Sequence, residues 1–214
     1  MNQWSILLQG KVMIKKRRPS IAKTQATKHR IILAGLQQFN LHGFSASKIA
    51  DIALAAEVGK GTIYSYFETK TALLEGVIDY LIQETYHPIQ HHEISADISV
   101  KAFILQEMLP ALATLESAGR ADIARLILKE GGNFKEIREL YYNKVYLPSL
   151  LEVTKLIELA IQRGELKAHI HAEQQALLVM APIWLGMVNN GILAPEQPVD
   201  LQALFQAQMD ALFA

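Results

Sequence analysis

Apolar residues recur at helical spacing along nearly the whole of this 214-residue chain, and strand-like alternation is hard to find. Glycine and proline are sparse and fall mostly between the periodic stretches. An all-α fold is the expectation. Nine helices are read, at about 24–41, 47–56, 60–67, 70–86, 98–117, 120–131, 134–163, 172–190 and 200–213. A polar linker covers 88–97, and Gly119, Gly131-Gly132, Gly164 and Gly191 divide the later helices. Pro110, Pro148 and Pro182 fall inside three of them, where each removes a backbone hydrogen bond and should kink its helix.

Half of the residues are hydrophobic, enough for a sizeable core. There is no cysteine, which excludes a disulfide scaffold, a thiol nucleophile, a zinc finger and an iron–sulfur site. The chain suits a reducing cytoplasm. No uninterrupted apolar stretch approaches the roughly 20 residues of a membrane helix, and the patch around Trp4, Ile6, Leu7 and Leu8 makes a poor signal peptide.

The formal net charge of zero conceals an asymmetry. Residues 1–50 hold nine Lys or Arg and no Asp or Glu; the remainder holds 12 basic and 21 acidic residues. A head of +9 on a body of −9 is expected where one end meets a polyanion, either nucleic acid or an anionic membrane surface. For residues 1–22 a basic tail that only aids solubility is an equal alternative.

The head has an internal plan. The first helix carries Ile32, Leu36 and Phe39 on one face and stops at His42-Gly43, Gly43 being a natural left-handed residue. Ser47 is read as the N-cap of the second helix, which buries Ile49, Ile52, Ala53 and Ala56. A break at Glu57-Val58-Gly59 precedes a very short helix from Lys60 to Phe67, and Thr69 caps a longer one from Lys70. Two helices this short are not stable alone and need the long ones as a platform. A short helix presented after a tight turn is what a major groove accepts.

The run from Gly43 to Ala53, continued by Lys60-Gly61-Thr62-Ile63-Tyr64-Ser65-Tyr66-Phe67-Glu68-Thr69-Lys70 and Leu73-Leu74, resembles the DNA-binding module of the TetR family of bacterial transcription regulators. The resemblance extends over about 24–86. Glu130-Gly131-Gly132-Asn133-Phe134, Tyr141-Tyr142 and Arg163-Gly164-Glu165-Leu166 resemble the effector part of such proteins more weakly. It implies three segments: a basic arm at 1–23, a helix-turn-helix DNA-binding domain at 24–86, and an effector-binding and dimerisation domain at 87–214. Glu57 stands where the family often has Gly, and is costly there if the turn needs a positive φ. Gly59 stands where it often has Ser.

The resemblance also implies site roles. Lys60 and Tyr64, at i and i+4, would reach base edges, while Gly61 allows close approach and Thr62 touches phosphate or a thymine methyl. Ser65, Tyr66 and Lys70 would hold the DNA backbone, as would Ser47 and Lys48 at the start of the second helix. Tyr64 and Tyr66 also have a partial core role, and Phe67 is core. In the C-terminal part Phe103, Met108, Ile127, Phe134, Tyr141, Tyr142, Tyr146, Met180, Trp184 and Met187 either line an apolar pocket or fill a solid core. The last two helices, with Leu177, Leu178, Ile183 and Leu185 on one and Leu201, Leu204, Phe205, Met209, Leu212 and Phe213 on the other, are apolar on more than one face. They either pair with a twofold partner or close the chain's own core.

No cofactor or metal is expected. His87, His91, His92 and Glu93 cluster, as do His169 and His171, but in linkers and without cysteine. A phosphate loop and a nucleophile elbow are both missing, and Glu152 and Glu158 read as surface carboxylates, so an enzyme is the weakest reading. The sequence therefore points to a homodimeric repressor that binds a DNA operator and is released by a small, mostly apolar ligand. The alternative is a helical interaction or membrane-surface adaptor whose basic tail binds lipid.

Overall fold

The computed structural model describes residues 21–85, 94–169 and 171–214. The arm at 1–20 and the histidine cluster at 87–93 lie outside them. Among the described residues there is no strand. The helices are α1 (Ile21–Ala46), α2 (Ile49–Ala55), α3 (Lys60–Tyr66), α4 (Lys70–Thr85), α5 (Val100–Ala113), α6 (Arg120–Glu130), α7 (Lys135–Tyr141), α8 (Leu147–Gln162), α9 (Ala172–Val188) and α10 (Leu201–Leu212). A π-helical turn, Tyr142–Tyr146, joins α7 to α8 without a break, so these two are the single helix expected at 134–163. A second π-helical turn, Asn189–Leu193, ends α9.

One boundary falls where it is expected and two features differ. Regular helix in α1 is interrupted at Gly43 (φ 76°, ψ 178°), an extended conformation beyond the left-handed helical well and open only to glycine. Ser47 does not cap α2: the N-cap is Lys48, and no side chain closes the helix start. Pro148 lies inside the continuous rod of α7 and α8, directly after the π turn, so the hydrogen bond it removes falls where the helix already departs from α geometry. The cap expected at Thr69 is present: its Oγ1 accepts from Ala72 N at 3.0 Å. At the start of α10, Asp200 accepts from Gln202 N and Ala203 N.

Two cores result. In the first, Ile31 and Phe39 of α1, Ile52 of α2, Ile63 of α3, and Leu73, Leu74 and Val77 of α4 are buried together with Ile123, Leu126 and Ile127 of α6 and Ile137 of α7. Buried packing therefore continues across the linker at 88–97. In the second, α5, α8, α9 and α10 enclose Ile104, Leu156, Ile157, Val179, Phe205 and Met209. A small cluster of Ala121, Ala124 and Met187, with Trp184 against it, joins α6 to α9.

The second core corrects one expectation. Phe205 is completely buried, as are Met209 and most of Leu201, so the apolar stripe of α10 closes this chain's own core. Leu177, Leu178 and Leu185 of α9 lie about half exposed or more, and these remain uncovered. In addition, the 22-residue run Ala172–Leu193 is long and apolar enough to cross a membrane by length and composition, although its uninterrupted apolar part, 176–188, falls well short of a span. Within the fold, α8 and α10 pack along its inner side, where Ala176, Val179 and Gly186 are buried, and α6 covers Met187.

Phe205→Ala should therefore cost about 3–5 kcal/mol of folding stability, the ordinary consequence of emptying a core phenyl site. Urea unfolding followed by circular dichroism measures it.

Candidate DNA-reading helix and effector cavity

α3 is held from one side and open on the other. Ile63 and Phe67 are buried, and Tyr66 packs half-buried against the same core. Lys60, Gly61, Tyr64 and Ser65 face outward, Tyr64 being 51% exposed. A Cβ on Gly61 would meet nothing within 4 Å, so that position keeps the surface low rather than avoiding an internal clash. Thr62 is half-buried, and the Ser65 hydroxyl donates to its carbonyl at 2.6 Å. Lys60 and Tyr64 thus stand on one exposed face, one turn apart. The α2–α3 turn is sharp: Glu57 takes φ 53°, the one positive φ outside glycine among the described residues. The side-chain cost foreseen at that position is present.

Two residues expected at DNA phosphates face inward. Ser47 is 3% exposed, and its hydroxyl donates to the carbonyls of Gln38 and Gly43. The Lys70 ammonium donates to the carbonyls of Phe44 (2.6 Å), Ser45 (3.1 Å) and Ser47 (3.0 Å) and lies 4.6 Å above the Phe44 ring. Burial pulls it below the ordinary lysine range, an effect that nearby Glu130 opposes. The reason is geometric: all three ammonium protons already point into the α1–α2 loop. Lys48, by contrast, is exposed.

Between the two cores lies a cavity of about 140 Å³. Met108, Tyr141, Tyr146, Met180, Trp184 and Met187 line it, six of the residues expected there. The other four lie elsewhere. Phe103 packs on the second core, and Phe134 stands edge-on to Phe44 at 5.4 Å. Ile127 and Tyr142 line a more open groove of about 570 Å³ that shares Tyr141, Tyr146 and Trp184 with the cavity. Their helical spacing was compatible with an inward face, but the chain has two interiors and a single period does not choose between them.

The sequence reading missed the α4 wall of the cavity, formed by Ile78, Leu81 and Ile82, and its polar residues Arg120, Ser149 and Glu152. Glu152 is not a surface carboxylate: it lines the cavity and accepts from Lys155 at 2.9 Å. A further link was missed. Lys144, in the first π turn, pairs with Glu75 (3.0 Å) and Asp79 (2.6 Å) of α4. These two carboxylates raise the Lys144 ammonium above the ordinary lysine range, chiefly through the Asp79 hydrogen bond. The aromatic wall of the cavity is thereby tied to the helix that supports α3. Its sequence signal, two acids at i and i+4 on α4, has no partner visible by spacing.

Residues 31–77 match the model of the family described as bacterial regulatory proteins, tetR family. Over 183 residues the chain is 27% identical to the HTH-type transcriptional regulator TtgR of Pseudomonas putida, covering 84% of this chain and 86% of that one. The fold is similar to that of the transcriptional regulator FadR from Bacillus subtilis in complex with stearoyl-CoA (TM-score 0.70, 21% identity, 87% of this chain and 97% of that chain). It is equally similar to SmeT, the repressor of the Stenotrophomonas maltophilia multidrug efflux pump SmeDEF (TM-score 0.70, 16% identity, 88% and 89%). An all-helical body carrying a short, outward helix after a tight turn has the arrangement of a helix-turn-helix module, and the similar proteins are named transcriptional regulators. Residues 31–77 thus carry the DNA-binding module of the tetR family, and the chain as a whole is similar to regulators of that family.

The two lysines should separate in a titration against duplex DNA. Lys60→Ala should relax preference at one base pair, losing roughly 1–3 kcal/mol there. Lys70→Ala should leave the salt dependence of binding unchanged and instead lower folding stability by about 1–3 kcal/mol, since the part-buried carbonyls of Phe44 and Ser47 lose their donor. Fluorescence anisotropy at several salt concentrations, with thermal melts beside it, measures both.

Proposed function

We propose that the protein is a homodimeric repressor that leaves its operator when a small, mostly apolar ligand enters the cavity. The observation that carries this reading is that α4 serves two sites. Ile78, Leu81 and Ile82 form a wall of the cavity, while Leu73 and Leu74 of the same helix pack in the core that holds Ile63 and Phe67 of α3. An occupant that displaces α4 changes where the reading helix stands. In a dimer, that alters the spacing of two reading helices against a rigid duplex, and affinity falls with the base contacts unchanged.

Lys60 and Tyr64 are the base-reading side chains, with Gly61, Thr62 and Ser65 beside them and Lys48 on the backbone. The two halves of the operator lie about one helical turn apart or a little more. The cavity supports an apolar ligand through its methionines and its Tyr141, Tyr146 and Trp184 walls. The similarity to a regulator solved with stearoyl-CoA and to a repressor of a multidrug efflux pump agrees with a largely apolar effector.

The dimer face is that of α9 rather than the buried stripe of α10. Leu177, Leu178 and Leu185 lie on one exposed side with Ala181, and the small residues Ala203, Ala207 and Ala211 of α10 are also exposed. Two copies pairing these helices form a four-helix interface. That interface covers the apolar side of the run Ala172–Leu193, which favours the dimer over a membrane-surface role.

Two experiments test this reading. Leu178→Glu should convert a sedimenting dimer into a monomer at micromolar concentration and abolish tight binding to a two-half-site duplex; an unchanged dimer removes the α9 face. Hydrophobic compounds found by thermal shift should bind DNA-free protein more tightly than operator-bound protein, by about 5–150-fold. Equal affinity in both states shifts nothing and removes ligand control.

A further inference from the structure

The end of α1 beyond its kink and the link into α2, residues 43–47 and called here the α1–α2 loop, are gripped from both halves of the chain. From one side Lys70 donates to three of its carbonyls. From the other, Glu130, the last residue of α6, accepts from Phe44 N through Oε1 and from Ser45 N through Oε2, both at 2.7 Å. Phe44 is set between Phe39 and Phe134, with ring centroids 5.9 and 5.4 Å away. Position 43 is kept free of a side chain: a Cβ there would run into the Glu130 carboxylate, and the backbone has positive φ.

A carboxylate at the C-terminal end of a helix is on the unfavourable side of the helix dipole. Within α6, Glu130 has no local reason to be acidic. Two backbone donors 85 and 86 residues earlier and the Lys70 ammonium supply the compensation. The loop they hold leads directly into Lys48 and α2, whose buried Ile52 and Ala53 pack in the same core as α3. The carboxylate is therefore a peg, fixed in the effector half, on which the entry to the DNA-reading half is hung.

We propose that Glu130 is a positioning residue for DNA binding: by holding the Phe44 and Ser45 amides it sets the register of Lys48 and α2 against the reading helix. This rests on the DNA-binding class of the protein and not on the proposed ligand. It is separate from the α4 route, because it reaches the module from α6 at the opposite side of the loop. The proposal has a sign that plain electrostatics does not share. Removing a carboxylate near a head that binds a polyanion strengthens binding if charge alone matters. Removing a peg weakens it.

The test uses the full chain and a duplex selected from a random pool by the wild-type protein. Anisotropy titrations over a range of salt compare wild type, Glu130→Ala and Glu130→Gln. Glu130→Ala should weaken binding about tenfold with the salt slope unchanged. Glu130→Gln, whose single carbonyl oxygen still accepts one amide, should fall between. Amide hydrogen exchange should show Phe44 and Ser45 losing protection while Ile63 and Phe67 of the α3 region keep theirs. Binding by Glu130→Ala as tight as wild type or tighter overturns the proposal. So does equal loss of protection in α3, which would reduce Glu130 to a general fold contact. If Glu130→Ala does not fold, Glu130→Gln decides by the same readings: wild-type affinity with wild-type exchange at Phe44 and Ser45 overturns the proposal.

Discussion

The helix-turn-helix module rests on two helices of seven residues, and helices of that length do not persist in water unaided. That constraint organises the rest of the chain. α1 and α4 supply the apolar floor through Ile31, Phe39, Leu73 and Leu74, and α6 and α7 extend it with Ile123, Leu126, Ile127 and Ile137. The reading module is therefore not a bead on a string. Its core is completed by residues drawn from beyond the linker, so a displacement in the C-terminal half reaches it through packed side chains.

The polar contacts follow the same plan. Arg125 is almost fully buried, yet it is paired with Glu116 and Asp122 and donates to the Met187 carbonyl at 3.2 Å. It binds α6 to the end of α9, next to Gly191, where a side chain would collide with its guanidinium. α6 is thus anchored to the α9 end at its middle and to the α1–α2 loop at its last residue. A helix held at two such points moves as a rod or hardly at all.

Much of this was legible in the residues. The helical class, the nine helical stretches, the short helix from Lys60 and the cap at Thr69 followed from local rules of spacing, capping and periodicity. The strain at Glu57 was visible as a side chain in a turn that suits glycine. What failed to show were partnerships made over long separations. Lys70 looked like a phosphate contact because its charge is written in the sequence and the three carbonyls it faces are not. Glu152 looked solvated because a helix wheel does not say which of two interiors a flank meets. Glu130 and Lys144 gain their meaning only from residues 85 and 65 positions away. The apolar stripe of α10 was ambiguous from the start, since one chain and two chains bury a leucine equally well.

The π turn at Tyr142–Tyr146 has a geometric consequence. In a helix of about 3.6 residues per turn, one inserted residue rotates everything after it by roughly 100°. α7 presents Ile137 to the first core, whereas α8, continuing the same rod, presents Val153, Leu156 and Ile157 to the second. The insertion is a change of phase. It lets one uninterrupted helix face two directions in turn, and it places the stacked rings of Tyr142 and Tyr146 at the crossover, 5.7 Å apart. Deleting one residue there would restore a regular helix and, by the same rotation, turn the apolar side of α8 away from the core it now fills.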